Sequence, residues 1–280
     1  MTSSAWTARR MATAVGNETV KGLRHGWAER MQILIELPLF VAFVLLLGYT
    51  VGQGTAIAET GRVDWTLDPR HVTWLFIGMA AFVYTYLHLQ KMFWRLLAEI
   101  QSGTLEQTYL SPLPSWVHVV GGRVVAAIAE TAIVVAVMFG ATSLIVRLDL
   151  HWRLDALVPL ALLVVGAAGL ALIVAGITLV WKRIQMLNDL FLLGVFFFSG
   201  AVLPRAEMPA WAEAVGTPLF MTHTVAGLRT VTLDDGPLAW GGTGGLAWML
   251  GTAVAWFAAG LITFRACERV AQRQGSLSHF

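Results

Sequence analysis

Long apolar stretches alternate with short polar segments along this chain. The apolar runs cover residues 33–51, 72–89, 124–146, 157–180, 184–203 and 238–264. A helix of about 20 apolar residues spans the hydrocarbon core of a bilayer. The pattern therefore predicts an all-α polytopic membrane protein with six transmembrane helices.

Two of these runs have features that bear on packing. The purely apolar part of the fifth run starts only at Leu190, so the polar residues Gln185, Asn188 and Asp189 are expected to anchor that helix at the interface. The last run contains small residues of the kind that allow close helix contact in lipid, namely Gly241, Gly242, Gly244, Gly245 and Gly251.

Composition narrows the class of protein. Of 280 residues, 57% are hydrophobic and 13% are charged, whereas a soluble domain carries about a quarter charged residues. Six spans leave only short loops, which excludes a soluble enzyme with a membrane anchor. The net charge of +2 gives no reason to expect a nucleic-acid partner. The seven histidines are scattered and Cys267 is the only cysteine, so neither a metal site nor an internal disulfide is predicted.

The basic residues are distributed unevenly between the two sides of the predicted bundle. Six spans place both termini on one side, and that side carries twelve Lys and Arg residues against six on the other. Because cytoplasmic segments are enriched in Lys and Arg, both termini are predicted to be cytoplasmic.

Two other stretches are predicted to lie at the membrane surfaces. Residues 20–32 place Val20, Leu23, Trp27 and Met31 at helical spacing, which predicts an amphipathic helix in the inner interface; a disordered leader is the alternative. Residues 204–235 form an unusually apolar outer segment that is broken by proline and glycine. We expect short re-entrant helices there, buried in protein or lining a cavity.

The most informative loop covers residues 94–116. Ser102 and Gly103 permit a break after a first helix, Thr104 can cap a second short helix, and prolines end it. This elbow resembles the ABC-2 type permease family, the membrane subunits of bacterial ABC exporters, whose loop carries a glutamate, Gly-Thr-Leu-Glu and Ser-Pro. The matching residues are Glu99, Gly103, Thr104, Leu105, Glu106, Ser111 and Pro112.

A second segment extends the resemblance to nearly the whole chain. Residues 196–211 and 218–229 look like the family's fifth span and outer re-entrant pair. The residues of this outer motif are Pro204, Pro209, Trp211, Pro218, His223 and Arg229. The crowded acidic outer loops depart from the family pattern.

The resemblance implies a domain plan. A cytoplasmic leader with the amphipathic helix covers residues 1–32, a six-helix transmembrane domain covers 33–266, and a cytoplasmic tail covers 267–280. Within the transmembrane domain, the coupling helix is expected at about 95–111 and the re-entrant helices at about 204–230.

The resemblance also implies the permease subunit of an ATP-driven exporter in the bacterial cytoplasmic membrane. No G-x-x-x-x-G-K-[ST] phosphate loop occurs in the chain, so ATP and Mg²⁺ are expected on a separate ATPase and no cofactor on this chain. The expected complex contains two permease chains, identical or different, and two ATPase subunits. The expected cargo is amphipathic or hydrophobic, such as a drug, antibiotic or lipid, and a polysaccharide or glycolipid is the alternative.

The resemblance assigns roles to the elbow. Glu99 and Glu106 would present charge to a cleft on the ATPase, Gly103 would allow the bend that Thr104 follows, and Leu105 would pack into that cleft. An ordinary polar loop is the alternative.

Candidates for the substrate path come from the spans. Glu130 follows Arg123 by seven residues and so lies on the same helix face. Since a buried acid costs about 2.5–3.5 kcal/mol in a bilayer, Glu130 is expected to face the path, a dimer seam or an ion-pair partner that fixes packing. The aromatic residues Phe196, Phe197 and Phe198 are further candidates. Glu36 and the pair Asn188 and Asp189 are expected to act as interfacial anchors.

Two other classes of protein stay open at this point. A membrane-embedded enzyme would act without a nucleotide-binding partner, and a passive channel would conduct without ATP. Replacing Glu106 with Lys separates them from a transporter, because neither depends on the elbow.

Overall fold

The computed structural model describes residues 3–28, 42, 43, 46, 69–110, 117–145, 148–181 and 184–274. These residues are almost entirely helical, and they contain no strand. The predicted first span and Glu36 lie outside the described residues except at positions 42, 43 and 46, as do Ser111, Pro112 and the C-terminal end of the tail.

Nine α-helices occur in the described part of the chain. They are α1 (Ser3–Ala28), α2 (Pro69–Gln101), α3 (Thr104–Tyr109), α4 (Val125–Ile145), α5 (Leu157–Val180), α6 (Gln185–Phe198), α7 (Ala210–Gly216), α8 (Phe220–Thr232) and α9 (Leu246–Gln274). A π-helix, Val117–Val124, leads directly into α4, and single 3₁₀ turns cover Leu154–Ala156 and Arg205–Glu207. We call the end of the bundle at which α2 begins the upper end, and the end at which it finishes the lower end.

Four described helices are long and apolar enough to cross a membrane. These helices are Pro69–Gln101, Val117–Leu144, Leu154–Val180 and Leu246–Gln274. They correspond to the predicted second, third, fourth and sixth spans. The fourth prediction matches α5 residue for residue, whereas α2 continues twelve residues past the predicted end at Leu89.

The fifth span is shorter than predicted. The apolar run reaches Leu203, but α6 ends at Phe198, and the chain turns at Gly200, whose φ is +77°. Fourteen helical residues at 1.5 Å each extend about 21 Å, which is less than the hydrocarbon thickness of about 30 Å. The long apolar run therefore divides into a helix and a turn.

The last span is displaced from its predicted position. It begins at Leu246 and not at residue 238, because Gly242 and Gly244 adopt positive φ and form turns. Most of the glycines expected to mediate helix contact thus precede the helix, and Gly251 has open space around it. The expected close contact occurs instead at Gly260, where an added Cβ would lie 2.3 Å from the carbonyl oxygen of Gly169.

Small residues bring α5 and α9 together, and α5 forms the centre of the described bundle. Ala167, Ala168, Leu170, Ala171 and Leu172 are fully or almost fully buried, and they belong to one apolar core with α2, α4 and α9. A centre of alanine and glycine lets backbones approach closely, as is typical of helix packing in lipid. This core holds the two ends of the bundle, where the polar side chains cluster.

Candidate functional site

The elbow at the lower end is a continuation of α2. After Gln101 the backbone turns at Ser102 and Gly103, and Gly103 has a φ of +69°, which suits glycine. The hydroxyl of Ser102 lies 2.9 Å from that of Thr104, and the Thr104 hydroxyl donates to the Glu99 carbonyl at 3.5 Å. α3 then runs over six residues. The side chains at this turn are exposed, so the break is available to a partner.

Leu105 requires a correction. Its side chain is fully buried in the apolar core of this chain, next to residues of α2. The side chain is therefore unavailable to a cleft on another protein, contrary to the role expected from the resemblance. It fixes α3 to the bundle, because removing a leucine from such a site costs about 2–5 kcal/mol.

α3 also touches the last helix. Burial raises the pKa of Tyr109, and the neighbouring carboxylate of Glu268 raises it further. Tyr109 is therefore a neutral phenol at any physiological pH. Its proximity to Glu268 places the elbow beside α9 at the lower end.

Charged side chains connect α2 to α4 above the elbow. Glu99 pairs with Arg123, which is only 4% exposed. One to two turns earlier on α2, Arg95 contacts both carboxylate oxygens of Glu130 at 2.9 and 3.0 Å, and the Lys91 ammonium lies 3.3 Å from the same group. We call these five side chains the charge network. Lys91, Arg95 and Glu99 lie one helical turn apart, so a single face of α2 carries both pairings.

α1 covers this network. A Cβ added at Gly22 would lie 2.2 Å from Glu130 Oε1 and 2.9 Å from the Ala126 Cβ, so the bare backbone of α1 rests on α4 at this point. On the facing segment, a Cβ added at Gly121 would meet Val15 of α1, and one added at Gly122 would meet Glu18 of α1. The spacing of these three α1 residues defines one inward face of the helix. The helix extends over Ser3–Ala28, so it begins well before the predicted position at residue 20.

The contacts of Glu130 in the charge network bear on whether it lines a substrate path or fixes packing. Its side chain is buried and paired with two cations, which agrees with the alternative in which it fixes packing. Nothing in the described contacts opens it to a path.

A second polar centre lies at the upper end, around Arg229. The Arg229 guanidinium donates to the carbonyl oxygens of Trp74, Gly200 and Ala201 at 2.8–3.2 Å, and it stacks on the Trp74 ring at 3.4 Å. Burial lowers the pKa of this group to about 9, so it still carries its charge at neutral pH. A cation beside the last carbonyls of α6 is favourable for the helix dipole. Arg229 thus joins α8, α2 and the end of α6.

The other residues of the predicted outer motif form the corner between α7 and α8. His223 Nε2 donates to the Thr217 carbonyl at 2.8 Å, while Arg205 contacts Glu213 and Thr217 at 3.0 and 3.1 Å. Pro204 and Pro209 immediately precede the 3₁₀ turn and α7, and Trp211 packs on Phe198 at 5.8 Å between ring centroids. The Pro218 carbonyl accepts a hydrogen bond from Trp256 Nε1 at 2.8 Å.

This corner lies deep between the long helices. The first residue of α8, Phe220, packs against Gly166 and Trp256. Gly166 is nine residues into α5 and Trp256 is ten residues into α9, a depth of about 14 Å along each helix. Burial lowers the pKa of His223, the hydrogen bond to the Thr217 carbonyl partly offsets this, and the positive charge of Arg205 lowers the pKa further.

The three phenylalanines of α6 have different surroundings. Phe196 packs edge-on against Phe82 at 4.7 Å, Phe197 is 57% exposed, and Phe198 contacts Trp211. The described contacts do not bring them together with Glu130, which lies on α4.

Several site residues escaped the sequence analysis. Lys91 and Arg95 are among the twelve basic residues of the predicted cytoplasmic side, and their spacing of four residues opposite an acid on the next span is a usable signal for pairing. Gly22 and Gly78 gave no signal, because their importance depends on a neighbouring helix. An added Cβ at Gly78 would lie 2.0 Å from the Ala201 carbonyl oxygen.

Comparison with protein families identifies the chain. The model of the ABC-2 type transporter family matches residues 21–233, about three quarters of the sequence. A comparison with curated proteins finds no match. The class defined by the fold is a multi-pass helical membrane protein, and the chain belongs to the ABC-2 type transporter family. It is therefore the permease of an ABC transporter, which implies an ATPase partner.

Proposed function

We propose that this chain is one half of an ATP-driven exporter that moves an amphipathic or hydrophobic molecule, such as a drug, antibiotic or lipid, out of the cell across the cytoplasmic membrane. Two such chains, identical or different, pair in the membrane, and each binds a cytoplasmic ATPase subunit that holds ATP and Mg²⁺. The lower end of the bundle and both termini face the cytoplasm. The first span, within residues 33–51, completes six crossings.

The observation that supports this function is the attachment of α3. Leu105 is buried beneath it, Tyr109 contacts Glu268 of α9, and Glu99 pairs with Arg123 just before the turn. A short helix that is held in this way cannot move independently of α2 and α9. A partner that pushes α3 therefore moves two long helices, as alternating access requires.

The length of α2 supports the same conclusion. Its 33 residues extend about 50 Å, whereas about 20 residues suffice to cross the hydrocarbon core. About a dozen residues remain to project beyond the membrane, and they include Arg95 and Glu99. In this arrangement the charge network lies at the inner boundary, where burying ions costs less than at the centre of the bilayer.

The cargo is inferred from the walls of the bundle. The described faces of α2 and α6 are apolar apart from a few polar side chains such as Gln90 and Asn188, which lie 3.3 Å apart. Such walls favour a cargo with a large apolar part. Phe196 and Phe198 pack against their own chain and Phe197 is exposed, so the three residues do not form one aromatic lining that would favour a glycan.

The test is the variant Glu106→Lys, with Glu207→Lys as the control. Glu106 is in α3, whereas Glu207 is an exposed acid at the upper end. The permease is co-purified with its ATPase subunit, and cargo-stimulated ATP hydrolysis is measured in proteoliposomes. We expect Glu106→Lys to lose most of the stimulation with an unchanged thermal midpoint of the permease, and Glu207→Lys to retain it. Full stimulation in Glu106→Lys, or cargo flux without ATP, would contradict the proposal.

A further inference from the structure

The outward face of α1 is strongly basic. Arg9, Lys21 and Arg24 are all exposed, and at 100° per residue they lie within an arc of about 120° around the helix. Glu18 is the only acidic residue between positions 9 and 24, and it lies outside this arc, with its aliphatic stem against Gly122. The charge is therefore concentrated on the side that the bundle leaves uncovered.

Exposed apolar side chains lie beside these cations. Val20 and Leu23 are 48% and 37% exposed, and they fall on or next to the basic arc. A surface that binds only by charge has no need of exposed valine and leucine. Basic residues interleaved with aliphatic ones are instead typical of a helix that lies in the interface of an anionic membrane.

We propose that the outward face of α1 is a binding site for the headgroups of anionic phospholipids in the inner leaflet. The proposal rests on the proposed function in one respect, which is that α1 lies on the cytoplasmic side. Arg9, Lys21 and Arg24 contact the phosphates, while Val20 and Leu23 enter the boundary of the acyl chains. In this proposal anionic lipid binds the transporter at a defined site, in addition to forming part of the surrounding bilayer.

The inward face of α1 gives this site a mechanical consequence. Gly22 lies between Lys21 and Leu23 in sequence, and its backbone rests on Glu130, Ala126 and Arg95. Lipid that holds α1 against the membrane also holds the cover of the charge network in place. Anionic lipid should therefore stabilise the packing of α1 on α4.

The experiment uses the full-length chain purified in neutral detergent. It is titrated with dioleoyl phosphatidylglycerol or dioleoyl phosphatidylcholine, and binding is followed by native mass spectrometry. The wild-type chain should prefer phosphatidylglycerol, and added salt should weaken that preference. The triple variant R9Q/K21Q/R24Q should bind phosphatidylglycerol at least about tenfold more weakly, since each basic residue near an anionic surface contributes to binding, and it should bind phosphatidylcholine as before.

The matched control is R265Q/R269Q/R273Q, which removes three exposed arginines from the lower part of α9. It should keep the preference for phosphatidylglycerol. An equal loss in both variants would overturn the assignment to α1, and so would a triple α1 variant that binds like the wild type. Complete displacement of phosphatidylglycerol by roughly 10 mM inorganic phosphate would show a free-phosphate site and overturn the lipid proposal.

These outcomes are separate from those of the proposed function, because lipid binding is measured without the ATPase. A wild-type chain without any preference overturns the lipid site and leaves the permease function standing. A triple variant that keeps its lipid binding but no longer co-purifies with the ATPase would reassign the face to that partner.

Discussion

Glu130 shows how much a single side chain can matter where water screens charge poorly. It faces both Lys91 and Arg95, and its side chain is almost completely buried from solvent. We expect Glu130→Gln to destabilise the protein by about 2–4 kcal/mol, because two cations would then face each other without a counter-charge. The measurement is the thermal midpoint of the purified chain in detergent.

The control for this change is Asp234→Asn. Asp234 also contacts an arginine, Arg70, at 2.6 Å, but both side chains are more than half exposed. An exposed pair contributes about 0–1 kcal/mol, so this variant should unfold close to the wild-type midpoint. Equal shifts for the two variants would mean that burial does not decide the effect of Glu130.

Gly78 gives a second prediction for a single residue. An added Cβ would lie 2.0 Å from the Ala201 carbonyl and 2.6 Å from Arg229 Nη2, and the carbonyl is backbone that cannot rotate away. Gly78→Ala should therefore cost about 1–3 kcal/mol through overpacking and should loosen the hydrogen bonds of Arg229. Gly194→Ala on α6, where nothing lies within 4 Å, should be neutral or stabilising by up to about 1 kcal/mol. Thermal midpoints of the two variants, compared side by side, test this, and a harmless Gly78→Ala would contradict it.

Residues such as Arg229 and Gly78 also show what sequence alone reveals about a site. Arg229 was included in the outer motif because that motif resembles a family pattern, but its partners Trp74, Gly200 and Ala201 are carbonyls, which any residue supplies. The identity of the residues therefore reveals neither these acceptors nor the close approach of the backbone at Gly78. Charged pairs are easier to find, because a cation and an acid at matching depth on adjacent spans must meet or be exposed to lipid.

At the scale of the element, the corner between α7 and α8 should respond to pH. His223 lies outside the four long helices that could span a membrane, and burial lowers its pKa below the ordinary value of about 6.5. The neutral ring thus contributes stability above about pH 6.5, and this contribution is lost as pH falls towards the lowered pKa of the folded state. We expect the thermal midpoint of the wild type to fall between about pH 7.5 and 5 partly for this reason.

His223→Gln isolates the contribution of the imidazole. Glutamine keeps a side-chain N–H for the Thr217 carbonyl but does not titrate, so its midpoint should depend less on pH over the same range. If the two proteins lose stability in parallel as the solution is acidified, other groups account for the effect.

Element boundaries were predictable where apolar residues end at charged ones, and less so elsewhere. α5 was predicted residue for residue because it is an uncharged run between Asp155 and the basic pair at 182–183. α6 and α9 were not, because hydrophobicity continues through the turn at Gly200 and through the glycines before Leu246. Hydropathy indicates whether a segment prefers an apolar environment or water, whereas the position of a helix end depends on backbone conformation. α1 was longer than predicted because its inward face is small and not strongly apolar.

The whole molecule is asymmetric between its two ends. At the lower end the connections are a buried leucine and ion pairs whose side chains are largely buried. At the upper end the buried connections are hydrogen bonds from Arg229 and the His223 corner, and the ion pair of Arg70 with Asp234 is exposed. Trp74, the residue on which Arg229 stacks, lies near the upper end of the same α2 whose lower end leads into α3. One continuous helix of 33 residues therefore joins the two ends, in addition to α9.

The orientation of this helix is open to a direct test. In a background with Cys267→Ser, single cysteines are placed at Thr13 in α1, at Gln272 near the end of α9 and at Trp152, which is 81% exposed beside α5. If six spans place both termini inside, a membrane-impermeant maleimide should label position 152 in intact cells, and positions 13 and 272 only after the membrane is permeabilised. α1 and the end of α9 share a side only if the number of crossings between them is even. Because four long helices and the shorter α6 are described, an even total requires the apolar run at 33–51 to cross as well, provided that α6 crosses. Labelling of position 13 or 272 from outside, with the other protected, would show an odd number of crossings. It would contradict the predicted topology, on which the cytoplasmic position of α3 and of the ATPase site depends.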